Sequence, residues 1–287
     1  MLRIIDTCDQ IGELFDNQHF NIKKWESYMN SIYKNSAHIF QDDVEEYVKS
    51  GKYTFEKDFL PIINHVCDNE QLQVLHQSFL TVTNNLDKRI FDKFGDSVDI
   101  DIVLYLGLCN GAGWVTNING NNTILLGIEK ILELNWYHLN DMYGLIYHEL
   151  GHAYHKQHGI FMQSLDENEV NFVWQLFMEG VATYFEQVLV EDFDYYHQNT
   201  NGWKKWCDDH FVQILSDFNR DLSTMTRFNQ RYFGDWCEYN GHTDTGYYLG
   251  CRLIHYLRKD ATFDDIIHFD INKVYYLYQQ FVNHFIQ

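Results

Sequence analysis

The first third of the chain places apolar side chains at the spacing of an α-helix. Two groups show this most clearly, with members that recur every three or four residues: Trp25, Tyr28, Met29 and Ile32, and then Leu72, Leu75, Phe79 and Val82. The pattern predicts helices throughout residues 9 to about 95. Gly51 and Gly95 are the predicted stops, because glycine is favoured just past a helix end.

The pattern changes near Ser97 into short alternating segments. Residues 98–106 are rich in Val, Ile and Tyr, which predicts a strand. Two further strands are predicted over residues 114–118 and 123–128. The Asn-Gly turn signal of residues 119–122 separates them. No other part of the chain predicts a strand.

Helical periodicity returns after these strands. One helix is predicted from about residue 141 to 157 and another from about 167 to 190, and the remainder is mostly helical. A small sheet placed directly before these helices indicates an α+β protein that is predominantly α-helical. We therefore expect an N-terminal helical region (1–96), a core that contains the sheet (97–192) and a C-terminal helical region (193–287).

The composition is that of a folded, acidic protein. Hydrophobic residues make up 45% of the chain, and the formal net charge is −20. This charge opposes binding to nucleic acid or to an anionic membrane, because both carry negative charge, so we expect neither as a partner. An acidic surface would attract basic substrates, although a surface that only keeps the protein soluble is the simpler explanation.

The six cysteines are scattered and form no C-x-x-C pair, which leaves a zinc ribbon or a thioredoxin-like site unsupported. Reduced, mostly buried thiols suit the cytoplasm. The N-terminus has no basic segment followed by a long apolar run, so no signal peptide is expected. No apolar stretch of about 18 residues predicts a membrane span. The expected location is therefore cytoplasmic.

The sequence H-E-L-G-H at residues 148–152 carries the clearest chemical signal. His148 and His152 are four residues apart, so on a helix they project from one face and can bind one zinc ion. Glu149 follows the first histidine and can take a proton from zinc-bound water. A chance motif on a surface helix is the alternative. The neighbouring apolar residues instead indicate a buried helix, where such groups are costly unless paired or bound to metal.

A catalytic zinc site needs a third protein ligand and an open position for water. Four carboxylates follow the motif: Asp166, Glu167, Glu169 and Glu179. Only Glu179 interrupts a largely apolar stretch, which begins at Val170. The polar run of residues 166–169 has the character of a solvated helix start. A carboxylate isolated in an apolar helix needs a partner, so Glu179 is the predicted ligand.

Three other polar residues lie near these ligands in the sequence. Glu186 is seven residues after Glu179, on the same helix face. It could orient a ligand histidine, and an ordinary salt bridge is the alternative. His155 and His158 follow the motif near the predicted helix end, where surface positions are expected, and a place beside the metal ligands is the alternative.

The two motifs together, H-E-L-G-H and M-E-G-V-A-T-Y-F-E at residues 178–186, resemble the gluzincin metallopeptidases, closest to their aminopeptidase-N-like branch. The resemblance spans about residues 98–258 and implies a zincin-like, thermolysin-like core whose cleft the C-terminal helices complete. It implies that His148, His152 and Glu179 bind one zinc ion and that Glu149 is the general base. The 27-residue step from His152 to Glu179 is longer than usual in the family. An insertion around residues 159–164 would accommodate it.

The same resemblance implies two further features of the site. The family has a Y-x-x-G segment at a helix start whose tyrosine hydroxyl stabilises the oxyanion. Tyr247, three residues before Gly250, fits this pattern, and Tyr248 is the rival. In the family an edge strand beside the active helix pairs with the extended substrate. Residues 122–127, including Thr123 and Ile124, are the candidate edge strand here.

One departure from the family concerns the loop of residues 110–114. In the related aminopeptidases this loop carries a glutamate that holds the free amino group of the substrate. Gly111, Ala112 and Gly113 are the corresponding substrate-binding residues here, but the loop has no carboxylate. A strict aminopeptidase is therefore not expected, and an endopeptidase or another peptidase specificity is favoured.

These features predict a zinc-dependent metallopeptidase that acts on a peptide or protein substrate. Two alternatives stay open. One is a non-catalytic zinc-binding module of the same fold, although Glu149 argues against it because a structural zinc needs no base. The other is an amidohydrolase that uses the same site on a non-peptide amide. The oligomeric state is left open.

Overall fold

A computed structural model describes residues 1–49, 51–162, 166–226, 229–234 and 238–286. The protein is α+β and predominantly helical. It divides into two compact units, Met1–Glu149 and Leu150–Gln287. The division falls inside the helical segment that carries the H-E-L-G-H motif, and within the region 97–192.

Of the elements in the described residues, the first unit contains the six strands and the first seven α-helices. Its strands are β1 (Arg3–Asp6), β2 (Phe15–Asp16), β3 (His19–Phe20), β4 (Asp101–Tyr105), β5 (Gly113–Ile118) and β6 (Asn121–Gly127). Its helices are α1 (Ile22–Ile32), α2 (Ala37–Lys49), α3 (Leu60–Asn64), α4 (Leu72–Thr83), α5 (Leu86–Phe94), α6 (Ile128–Glu133) and α7 (Leu139–Tyr143). A 3-10 helix (Cys8–Leu14) and π turns at Phe55–Phe59 and Gly144–His148 complete the unit.

Helices dominate residues 9–95 as predicted, and Gly95 ends α5 with a φ of 81°. The prediction of helix throughout this region is wrong at β2 and β3, which form a two-stranded antiparallel hairpin. Asn17 and Gln18 connect them with φ values of 49° and 67°. Two consecutive left-handed residues make the tight turn that joins such strands, and asparagine tolerates this conformation well.

The main sheet has the strand order β1-β4-β6-β5. The three predicted strands are confirmed as β4, β5 and β6. All five residues of β4 are buried, as expected for a strand with neighbours on both sides. Strand β1 was not predicted. It pairs in parallel with β4, almost a hundred residues away. Its two end residues are exposed and its two central residues are partly buried, so it shows no apolar pattern.

The prediction that residues 122–127 form an edge strand is wrong. Strand β6 pairs in parallel with β4 on one side and antiparallel with β5 on the other. Thr123 and Ile124 are both completely buried. Their backbone groups face neighbouring strands, so these two residues cannot pair with an extended substrate. Local sequence predicts the β5–β6 hairpin but cannot show which of its strands lies next to β4.

In the part of the chain that is described, the second unit consists of helices and their connections, with one isolated β-bridge between Tyr239 and His242. Its helices are α8 (Glu149–His158), α9 (Glu169–Val190), α10 (Trp203–Asp209), α11 (Phe211–Asp221), α12 (Thr245–Leu257), α13 (Phe263–Ile267) and α14 (Ile271–Ile286). The boundary between the two units lies between Glu149 and Leu150, so the first residue of α8, Glu149, belongs to the first unit. The expected insertion at residues 159–164 falls between α8 and α9, and residues 163–165 lie outside the described part.

Helix α9 is the centre of the second unit and packs against α12 and α14. Gly180 of α9 meets Gly250 of α12 so closely that a Cβ at either position would collide with backbone atoms of the other helix. Gly151 of α8 likewise packs against the backbone of Ala182. The contact of Gly151 with Ala182 places α9, and hence Glu179, next to α8. Within the described residues, no helix is long and apolar enough to cross a membrane.

Candidate metal centre

The motif lies on a helical segment made of three pieces: α7, the π turn and α8. The π turn ends at His148, and Glu149 begins α8. Single π turns inside helices occur frequently at functional sites. Ile146, Tyr147 and Leu150 are completely buried, so the predicted burial of this helix is confirmed.

The structure brings His148, His152 and Glu179 together. Each offers one ligand atom, and these atoms lie within 4.8 Å of one another. Nε2 of His152 is 3.2 Å from Oε2 of Glu179. Two ligand atoms bound at 2.0–2.1 Å to a tetrahedral zinc ion would be about 3.3 Å apart. The observed separation therefore matches one edge of such a tetrahedron without rearrangement.

The three side chains are differently exposed. His148 is buried, whereas the side chains of His152 and Glu179 are 21% and 16% exposed. A cation could therefore be held by largely desolvated ligands and still be reached from solvent. The rival carboxylates Glu167 and Glu169 are exposed at the start of α9. Asn168 caps this helix by accepting a hydrogen bond from the Asn171 N–H at 2.9 Å.

Glu149 directly follows a potential ligand but is not itself one of the clustered donors. Its side chain is half-buried, between the buried residues His148 and Leu150.

A second cluster contains His148, Glu186 and His197, whose ligand atoms also lie within 4.8 Å of one another. Glu186 is completely buried. Nδ1 of His197 lies 3.0 Å and 2.9 Å from its two carboxylate oxygens. Sequence reasoning singled out Glu186 but missed His197. That histidine lies in an irregular segment after α9, where neither a motif nor a periodic pattern marks it.

Tyr247 and Tyr248 lie side by side in α12 but in different surroundings. Tyr248 is completely buried, and its hydroxyl donates to Asp208 at 2.9 Å and accepts from Arg252 at 2.8 Å. It therefore belongs to the core. Tyr247 is half-buried, and its ring centroid is 6.3 Å from that of His197. Of the two, Tyr247 is the one available to a substrate.

The expectation that His155 lies at the surface is wrong. Its side chain is completely buried, and the rings of Phe161, Trp174 and Phe177 surround it. Burial lowers the pKa of His155 to about 4, so it is neutral at physiological pH. An apolar environment favours an uncharged imidazole. His158 is partly exposed.

The loop predicted to contact substrate is part of the first unit. Ala112 is buried, while Gly111 and Gly113 are partly exposed. Gly113 begins β5, which is an edge strand. The backbone before this loop is held by Glu129, whose carboxylate accepts hydrogen bonds from the N–H groups of Gly107 at 2.8 Å and Cys109 at 2.9 Å.

Glu129 is almost completely buried, at 1% exposure. Burial raises the pKa of its carboxyl group to about 7, although the two N–H groups oppose this shift. The sequence analysis did not identify Glu129. Its position in a short helix directly after a strand gives no sign that its side chain turns back toward the loop.

Comparisons of the chain with protein-family models, with curated proteins and with solved structures find no match.

Proposed function

We propose that the protein is a zinc-dependent metallopeptidase of the gluzincin type. The observation that carries this proposal is the cluster of His148, His152 and Glu179 with Glu149 directly beside it. Two imidazoles and one carboxylate are a donor set typical of catalytic zinc, which keeps a fourth position for water. A structural site would have four protein ligands and no need of the adjacent base.

The hydrolysis would use the metal held by the cluster together with Glu149 and Tyr247. A zinc ion held by the cluster would lower the pKa of a bound water toward about 7 and polarise the scissile carbonyl. Glu149 accepts the proton of the attacking water and passes it to the departing amine. The hydroxyl of Tyr247 donates a hydrogen bond to the carbonyl oxygen as negative charge develops on it.

A peptide or protein is the proposed substrate. The loop of residues 110–114 has no carboxylate to hold a free amino terminus, which favours an endopeptidase or another specificity over a strict aminopeptidase. The net charge of −20 disfavours nucleic acid and anionic membranes as partners. Cys8, Cys67, Cys109, Cys207 and Cys251 are free thiols, which supports a reducing, cytoplasmic location.

The test combines metal analysis of the purified protein with cleavage of a peptide library. We expect at least one equivalent of zinc per chain, and cleavage that stops when a chelator removes the metal and returns with added zinc. Absence of zinc would contradict the proposal. Zinc without cleavage of any peptide would favour the non-catalytic module, and hydrolysis of simple amides alone would favour the amidohydrolase.

A further inference from the structure

The second cluster, His148, Glu186 and His197, has the same donor set as the first: two imidazoles and one carboxylate. Nitrogen and carboxylate donors in this combination suit zinc and other divalent transition metals. Only His148 belongs to both clusters. Glu186 and His197 have no part in the proposed hydrolytic mechanism, so their proximity needs a separate explanation.

The burial of Glu186 is the first supporting observation. An ionised carboxylate without solvent contact is costly unless positive charge or several hydrogen bonds compensate for it. Glu186 is at 0% exposure, whereas the side chain of its partner His197 is 24% exposed. The cluster therefore has a deep anionic donor and a second donor at the surface, which gives a cation a way in.

The geometry of this pair is the second observation. Nδ1 of His197 lies 2.9 Å from Oε2 of Glu186. Two donors on one tetrahedral zinc ion would be about 3.3 Å apart, so a bound cation would require them to separate by only a few tenths of an ångström. A partly exposed histidine side chain can make such a movement.

The segment that carries His197 is anchored at the two residues directly before it. The side-chain amide of Gln187 donates to the carbonyl oxygen of Tyr195 at 2.9 Å. Tyr196 is buried at 4% exposure, and its ring packs against those of Trp203 and Tyr248. His197 is therefore held over Glu186 by its neighbours, so the donor geometry does not depend on the ion pair alone.

We propose that His148, Glu186 and His197 form a second divalent-cation site, distinct from the site of His148, His152 and Glu179. The two sites share one ligand, and each has two ligands of its own. The proposal concerns metal binding only and stands whether or not the protein cleaves peptides.

The ligands that the two sites do not share allow the sites to be separated by mutation. The probe is Co²⁺ added to chelator-stripped, full-length protein, with binding followed by calorimetry and by visible absorption. His152→Gln removes a ligand of the first site only, and His197→Gln removes a ligand of the second site only. His158→Gln is the matched control, since His158 is a partly exposed histidine that belongs to neither cluster.

We expect His152→Gln to retain one equivalent of bound Co²⁺. Adding His197→Gln to this variant should weaken the remaining binding by at least about 10- to 100-fold, because it removes a direct ligand. Adding His158→Gln should leave it unchanged. Equal Co²⁺ affinity in His152→Gln and in His152→Gln/His197→Gln would overturn the proposal, and Glu186 and His197 would then be an ordinary ion pair. Circular dichroism of the stripped variants checks that each is folded.

Discussion

The two units of the chain each bury glutamate side chains, but they satisfy them with different partners. In the first unit, Glu129 accepts hydrogen bonds from the backbone N–H groups of Gly107 and Cys109. In the second unit, Glu179 lies 3.2 Å from His152 and Glu186 lies 2.9 Å from His197. All three carboxylates are largely or completely removed from solvent.

The partners indicate what each carboxylate does. Backbone N–H groups donate hydrogen bonds to a carboxylate and fix a loop, but they are not metal ligands. Imidazole nitrogens are themselves metal ligands, so a carboxylate that faces two of them forms a donor set. Burial alone therefore does not mark a functional glutamate. The distinction predicts that Glu129 supports folding and that Glu179 supports chemistry.

The largest expected effect comes from Glu179→Gln. We expect peptidase activity to fall by at least about 100-fold, because the first cluster loses its only carboxylate ligand. The free energy of unfolding of the chelator-stripped protein should change little. Steady-state kinetics and urea unfolding measure the two quantities. Glu129→Gln is the matched comparison, and the distinction between the glutamates fails if it abolishes activity while Glu179→Gln does not.

The next prediction distinguishes the roles of Tyr247 and Tyr248, which are adjacent in α12. Tyr247→Phe should lower kcat/KM by about 100-fold, as expected for the loss of one hydrogen bond to an oxyanion, without destabilising the fold. Tyr248→Phe should instead lower the free energy of unfolding by about 1 kcal/mol, because its hydroxyl bond to Asp208 is lost. A Tyr247→Phe variant with normal kinetics would remove this residue from the mechanism.

A smaller effect is expected for the stability of Glu129→Gln. The amide has a single oxygen acceptor, so the N–H of Gly107 or Cys109 loses its bond. Leaving one buried donor unsatisfied costs about 1–3 kcal/mol. Urea unfolding of zinc-loaded wild type and variant at pH 6 measures the difference. Zinc content should stay unchanged, and a loss of zinc here would contradict a purely structural role for Glu129.

The last prediction concerns the pH dependence of this difference. The pKa of Glu129 is raised in the folded protein from an ordinary value of 4.5 to about 7. A raised pKa of an acid means that its contribution to stability is full below pH 4.5 and is lost as the pH rises to about 7. The unfolding free energy of wild type, minus that of Glu129→Gln, should therefore fall over this interval and then level off. A difference that rises with pH would show that Glu129 is stabilised in its charged form.

Local sequence predicted the parts of the fold that depend on local periodicity. The helix of residues 141–157 and the strands β4 to β6 have strong apolar patterns, and the isolated position of Glu179 in an apolar helix marked its burial. Strand β1 and the interior position of β6 depend on pairing between distant segments. Periodicity contains no information about such pairing.

The site was predicted where a motif or an isolated charge marked a residue. His197 and Glu129 were missed because their contacts depend on how the chain folds back on itself. His197 lies in a segment that returns to α9, and Glu129 lies in a helix beside the loop that it holds. His155 was assigned to the surface from its position near a helix end. Aromatic residues from later in the chain bury it, and a single helix cannot reveal them.

The central claim is that Glu149 acts as the base beside a metal held by His148, His152 and Glu179. Turnover of the best library peptide by zinc-loaded Glu149→Gln tests it most directly, since the substitution keeps the size of the side chain and removes only its basicity. We predict that this variant retains its zinc and loses measurable cleavage. Normal cleavage by the zinc-loaded variant would contradict the account.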